Sequence, residues 1–139
     1  MDYRKFGAQR FWGHTIVSPF IFLPFFGLLL LDLMVSLYQA ICFPVYGLEK
    51  VKRSAYILIM DRNKLAYLNT FEKLSCMYCG YANGFLLYAK EIAGRTEKYW
   101  CGVMHEAKPG FKTQESQVRQ DFARFGDEAD FKKKYGVKK

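Results

Sequence analysis

The run from Thr15 to Leu48, TIVSPFIFLPFFGLLLLDLMVSLYQAICFPVYGL, constrains this chain more than any other feature, because Asp32 is its only charged residue. A stretch of this length with one charge is read as membrane-spanning. It is too long for the apolar core of a signal peptide, and no small-residue cleavage site follows it, so it is expected to be retained. Ser18 and Pro19 predict a helix start, with Ser18 as cap and Pro19 at the first helical position. Pro44 disfavours helix at Phe43, so the helix is expected to end near Ile41 or Cys42. Pro19 to Cys42 would then extend about 36 Å, enough to cross a hydrocarbon core of about 30 Å with some tilt. Pro24 and Gly27 are candidate kinks, and a re-entrant hairpin is the alternative to a single span.

A carboxylate in such a span costs about 2.5–3.5 kcal/mol on insertion scales. Asp32 is therefore read as a contact to a partner helix. The alternatives are a proton-relay group and simple accommodation by tilt or protonation. Orientation follows the basic flanks. Arg4, Lys5 and Arg10 precede the span, whereas Lys50, Lys52, Arg53, Arg62 and Lys64 follow it. The excess predicts an inner-membrane, single-pass protein with a cytoplasmic C-terminal region, and places Lys50, Lys52 and Arg53 at the anionic lipid surface.

Composition agrees with a membrane setting. The chain of 139 residues has a formal net charge of +8 and 18% aromatics. Basic, aromatic-rich chains suit either a lipid surface or a nucleic acid. The apolar run decides for the first, and the mixed charge beyond it makes nucleic acid an unlikely partner.

Four parts are expected: a basic arm (1–14), the transmembrane segment (15–48), a helical Cys/His lobe (49–106), and a linker with a basic helical tail (107–139). In the lobe, SAYILIM (54–60) reads as a short strand or extended link. Asp61 is the predicted N-cap of a helix in which Tyr67, Phe71, Leu74 and Tyr78 form one stripe. Gly80 and Asn83-Gly84 interrupt that pattern, so a second helix is expected from about Asn83 to Trp100. Phe85, Ala89 and Ile92 would share one of its faces, with Glu91 and Arg95 paired at i,i+4. In the tail, Thr113 is the predicted cap of a helix with Val118, Phe122 and Phe125 on one stripe, and Asp127 opens a last short helix.

The interhelical turn carries Cys76 and Cys79, and the end of the second helix carries Cys101 and His105. In a reducing compartment, closely spaced cysteines favour a metal over a disulfide. Three thiolates and one imidazole form a closed tetrahedral set, so Cys76, Cys79, Cys101 and His105 are the predicted ligands of zinc, with iron as the alternative. Antiparallel helices would hold Cys101 about 25 Å from the turn if the second helix were unbroken. A bend at Gly84 or Gly94 would bring it back. A dithiol redox pair at Cys76 and Cys79 lacks the βαβ context of a thioredoxin-like site. Cys42, flanked by apolar residues, reads as a small hydrophobe.

The segments ICFPVYG, RSAYILIMDRNKLAYLN, EKLSCMYCGYANG and AKEIAGRTEKYWC, closed by His105, resemble a group of short, uncharacterised bacterial membrane-anchored proteins. These share an N-terminal hydrophobic segment and a Tyr-Cys-Gly-Tyr-Ala-Asn-Gly … Tyr-Trp-Cys-x-x-x-His core. The resemblance covers roughly residues 40 to 105 and the FARFGD stretch at 122–127. Where such proteins commonly have CPIKH, this chain has CGVMH, which keeps Cys101 and His105 in place. The resemblance implies membrane anchoring and no particular activity.

The expected fold is thus mainly α: one N-terminal transmembrane helix, a small metal-stapled cytoplasmic lobe and a helical tail. The expected function is a non-catalytic, metal-binding accessory subunit or assembly factor of a larger integral-membrane protein complex. An iron-binding electron-transfer or thiol redox protein at the membrane surface is the alternative. The sequence offers no Ser-His-Asp arrangement and no glycine-rich phosphate loop, so a catalytic role has no residues to name.

Overall fold

A computed structural model describes residues 11–59, 61–68 and 70–136. It is mainly helical, with no strands among the described residues. Most of the basic arm, including Arg4, Lys5 and Arg10, and the last three residues lie outside the described part.

Helix α1, Phe11–Val45, is the long apolar element, and Thr15–Val45 is long and apolar enough to cross a membrane or to act as a signal sequence. It already runs seven residues before Ser18, with Pro19, Pro24 and Pro44 inside it. Each proline removes one rung of the hydrogen-bond ladder, and the remaining rungs carry the helix through. The helix also passes the expected end at Ile41 or Cys42. Gly47, at φ +67°, closes it. Leu48 N–H donates to Phe43 O (2.8 Å) and Gly47 N–H to Pro44 O (3.2 Å), the paired bonds of a Schellman cap. Leu48 then packs on the core beside Phe43.

Helix α2, Thr70–Trp100, replaces the two expected helices with one. Gly80 and Gly84 do not break it, although each glycine costs about 1 kcal/mol of helix propensity. They leave room for another part of the chain. A Cβ on Gly84 would stand 2.5 Å from Tyr56 O and 2.9 Å from Ile57 Cα, and one on Gly80 would stand 3.0 Å from Leu58 O. Tyr56, Ile57 and Leu58 of the SAYILIM segment lie in this trough, in a link that opens with a 3-10 turn at Arg53–Ala55 and has no regular secondary structure from Ile57 to Ile59.

Contacts between α1 and α2 fix their relative direction. Tyr78 meets Phe22 and Phe25, Tyr81 meets Phe25, Tyr88 bonds Gln39, and Tyr99 stacks on Tyr46. Partners on both helices advance together, so the helices run parallel. The segment between them must therefore travel back along their length. Val51 sits at Gln39, Arg53 at Asp32, Tyr56 at Gly84 and Leu58 at Gly80. Phe43, Val51, Tyr81, Phe85, Tyr88 and Ile92 form the core between these three elements.

The predicted face of Phe85, Ala89 and Ile92 points into that core, and Arg95 Nε donates to Glu91 Oε1 at 2.9 Å as its spacing suggested. The predicted stripe of Tyr67, Phe71 and Leu74 points outward instead. A short 3-10 turn, Arg62–Lys64, stands where Asp61 was to open a helix.

The tail packs on the end of α2. Helix α3 is confined to Glu115–Arg119, with Gln114 rather than Thr113 at its cap position and no side-chain cap bond. Asp121, at φ +54°, turns the chain, and Ala123 pairs with Val103 in an isolated parallel bridge. The turn splits the predicted stripe: Phe122 is buried, whereas Val118 and Phe125 are exposed. Helix α4, Glu128–Tyr135, opens as expected at Asp127, whose side chain accepts from Asp130 N–H at 2.9 Å.

Candidate functional site

Three polar residues interrupt the apolar α1 at helical spacing: Asp32, Ser36 and Gln39. At i, i+4 and i+7 they share one face, and that face meets α2 and the return segment. Asp32 is 8% exposed. Its carboxylate receives both terminal nitrogens of Arg53, each at 2.5 Å, so the pair is bidentate. Tyr81 O–H donates to Oδ2 at 2.8 Å and Ser36 O–H to Oδ1 at 3.2 Å. The helix that Asp32 contacts is thus α2 of its own chain, bridged by the return segment. Arg53 also lies over the Tyr88 ring, 5.7 Å from its centre.

Gln39 extends the network by one layer. Its Oε1 accepts from Val51 N–H at 2.7 Å, and its Nε2 donates to Tyr88 Oη at 2.8 Å. A buried glutamine satisfied this way holds the return segment in register, because any slip would strand a polar group in an apolar core. Arg53, Tyr81, Gln39 and Tyr88 carry this site, and only Asp32 was singled out from sequence as part of it. The signal was present: Tyr81, Phe85, Tyr88 and Ile92 repeat at the same spacing as the α1 polar stripe. Of the expected membrane-surface residues, Lys50 and Lys52 are exposed, whereas Arg53 is committed to Asp32.

The four predicted metal ligands are not brought together. Cys76 and Cys79 lie one turn apart inside α2, and Cys101 lies just past its far end. The twenty-five intervening steps of unbroken helix separate Cys76 from Cys101 by about 37 Å. Ligands of one zinc ion sit about 2.3 Å from it for sulfur, so no single ion spans that gap. The separation has a local cause: α2 runs on without the bend expected at Gly84 or Gly94, and both glycines are packing contacts, to Tyr56 and to Ser116. Among the described residues, no group of three or more His, Cys, Asp or Glu is placed to hold a metal.

Cys101 and His105 do share a cleft of about 520 Å³ with Glu97, Met104, Phe111 and Phe125. His105 Nε2 stands 3.7 Å from Glu97 Oε1, and its ring packs edge-on against Phe111. Glu97 also accepts from Gln117 Nε2 at 2.7 Å, which ties the cleft to α3. On the opposite end, an apolar groove of about 410 Å³ opens between α1, α2 and the return segment, lined by Phe22, Phe25, Leu29, Ile59 and the Tyr78 and Tyr81 rings.

Compared with protein-family models, with curated proteins and with solved structures, the chain matches none.

Proposed function

We propose that this protein is a membrane-anchored, non-catalytic accessory subunit or assembly factor of a larger integral-membrane protein complex. One observation carries the reading. The single charge of the apolar run is taken up by the chain's own Arg53, Tyr81 and Ser36, so the outward face of α1 from Pro19 to Val45 is left apolar. Phe20, Leu23, Phe26, Leu30 and Leu33 are all exposed there. A helix with so large an apolar face needs lipid or another apolar helix around it.

The proposed setting is the inner (cytoplasmic) membrane with the C-terminal region in the cytoplasm. Lys50 and Lys52 follow the end of α1, and Lys90, Arg95 and Lys98 flank it on α2. Those positive charges suit contact with anionic lipid on that face. The head built from the end of α2, α3 and α4 would then face a partner complex. A zinc or iron ion held by all four of Cys76, Cys79, Cys101 and His105 forms no part of this proposal. The aromatic core and the Asp32 network already hold the lobe together, which was the work assigned to the metal.

Native electrophoresis of gently solubilised membranes tests the reading. A subunit or assembly factor migrates in a species far larger than its own 16.3 kDa plus a detergent micelle. Migration as a lone chain in a micelle, or release from membranes by alkaline carbonate, overturns it.

A further inference from the structure

If α1 crosses a bilayer, it does not do so as a lone helix. Tyr78 O–H donates to Ile21 O at 2.9 Å, and its ring rests on Phe22 and Phe25. Tyr81 reaches Asp32, and Tyr88 reaches Gln39. These contacts put the first two-thirds of α2 at the same depth as the middle of α1. Whatever surrounds residues 21–36 of α1 therefore surrounds residues 74–89 of α2 as well.

The sequence of α2 fits that surrounding. From Leu74 to Ala89 it has no charged residue, with Glu72 and Lys73 just before and Lys90 and Glu91 just after. Sixteen residues of helix span about 24 Å, and lysines at each end can lift their ammonium groups to the headgroup level. Over the same depth the return segment carries one charge, Arg53, which is paired with Asp32, and it is charge-free from Ser54 to Ile59. The outward side chains are apolar: Phe71, Leu74, Leu86 and Leu87 on α2, and Leu58 on the return segment. The one exposed amide in the stretch, Asn83, donates to Cys79 O at 2.9 Å and so satisfies a donor within its own helix.

Irregular backbone at membrane depth is tolerated only where protein covers it. Gly80 and Gly84 supply that cover. They bring the carbonyls of Leu58 and Tyr56 against the α2 backbone, at a distance no side chain would allow.

We propose that the bilayer-immersed part of this protein is a three-element unit, made of α1, the return segment and the Leu74–Ala89 stretch of α2, whose outer face is covered by lipid acyl chains. The inference rests on the membrane reading of α1 and refines it. It also reverses one assignment of sidedness. The turn around Asn63 lies on the same side of the membrane as the N-terminus, opposite Cys101 and the tail.

Cysteine labelling of the full-length chain in membrane vesicles tests this. A membrane-impermeant maleimide is applied to right-side-out vesicles, to inside-out vesicles, and to fragments open on both faces. Four single-cysteine versions are compared, each with the other native cysteines changed to serine: Cys79 alone, Cys101 alone, Asn63→Cys alone and Leu30→Cys alone. Cys79 and Cys101 are both exposed on the folded protein, so lipid is what separates them. The expected result is that Leu30→Cys and Cys79 both react more than about tenfold slower than Cys101 in open fragments, since a lipid-immersed thiol ionises poorly. Both react fully once denatured, and Asn63→Cys and Cys101 react from opposite faces. If Leu30→Cys is protected while Cys79 and Asn63→Cys react from the face of Cys101, α1 crosses alone and the inference fails. If Leu30→Cys itself reacts as fast as Cys101, the membrane reading of α1 fails with it.

Discussion

The Asp32–Arg53 pair gives the sharpest energetic test, because its two members are unequally buried. The Asp32 side chain is 11% exposed and that of Arg53 is 45% exposed. Removing one member of a buried pair costs about 3–5 kcal/mol, chiefly because the other is left without compensation. Arg53→Met leaves the carboxylate enclosed, with only the Tyr81 and Ser36 hydroxyls as donors. It should cost about 4 kcal/mol, inside that range. Asp32→Leu leaves the guanidinium instead, which can swing toward water or headgroups along its exposed side. Two hydroxyls lose an acceptor, at about 1 kcal/mol each, and burial of the leucine offsets part of that, for a net cost of about 1–2 kcal/mol. The double variant removes both charges and should lie within about 1 kcal/mol of the parent, since a buried pair replaced by apolar groups is often neutral. The coupling is therefore at least about 4 kcal/mol, well outside additivity. The assay is denaturant unfolding of the detergent-solubilised chain, followed by far-ultraviolet circular dichroism. Two single variants that each lie within about 0.5 kcal/mol of the parent, or that add in the double variant, would refute the pairing and the fold that creates it.

Other predictions test separate parts of the structure. Gly84→Ala drives a Cβ into Tyr56 O and should destabilise by about 1–2 kcal/mol after its gain in helix propensity, whereas Gly27→Ala, with nothing within 4 Å, should be neutral or stabilising by up to about 1 kcal/mol. Equal effects in the same unfolding assay would mean that the return segment does not lie in the glycine trough. Elemental mass spectrometry of reduced protein should show no one-per-chain metal that is lost in both Cys76→Ser and Cys101→Ser; such a metal would show that the ends of α2 meet. The backbone N–H of Arg124 and then the Lys134 ammonium hold the Asp130 carboxyl below its ordinary value of 3.8. Its contribution to the docked tail is fully present above that value and is lost as pH falls through the lower folded value. Amide protection at residues 128–135, taken relative to the intrinsic exchange rate at each pH, should fall there, and protection unchanged through that window would remove Asp130 as the anchor.

Interactions between near neighbours in the chain were readable without a structure. Glu91 and Arg95 pair as their spacing indicated, Asp127 caps the last helix, and the apolar run from Thr15 forms one long helix. These depend on neighbours within one or two turns, so the local pattern contains the whole argument. The polar stripe of Asp32, Ser36 and Gln39 was equally visible as a stripe, but its partners lie up to 49 residues away. Nothing local distinguishes a carboxylate that waits for another protein from one already bound by an arginine of the same chain.

The sequence by itself determined a mainly helical chain with one long apolar helix and a charged tail, because helix period and charge spacing are local properties. Only the tertiary structure decided that Gly80 and Gly84 continue a helix rather than end one. In sequence, a glycine registers its propensity cost alone. In the folded chain it also admits the carbonyls of Tyr56 and Leu58, and that contact holds α2 straight. The straight α2 in turn runs parallel to α1, brings Arg53 and Tyr81 onto Asp32, and carries Cys76 and Cys101 to opposite ends. The separation of the cysteines and the capture of the buried charge thus have one physical cause: two side chains small enough to let another backbone through.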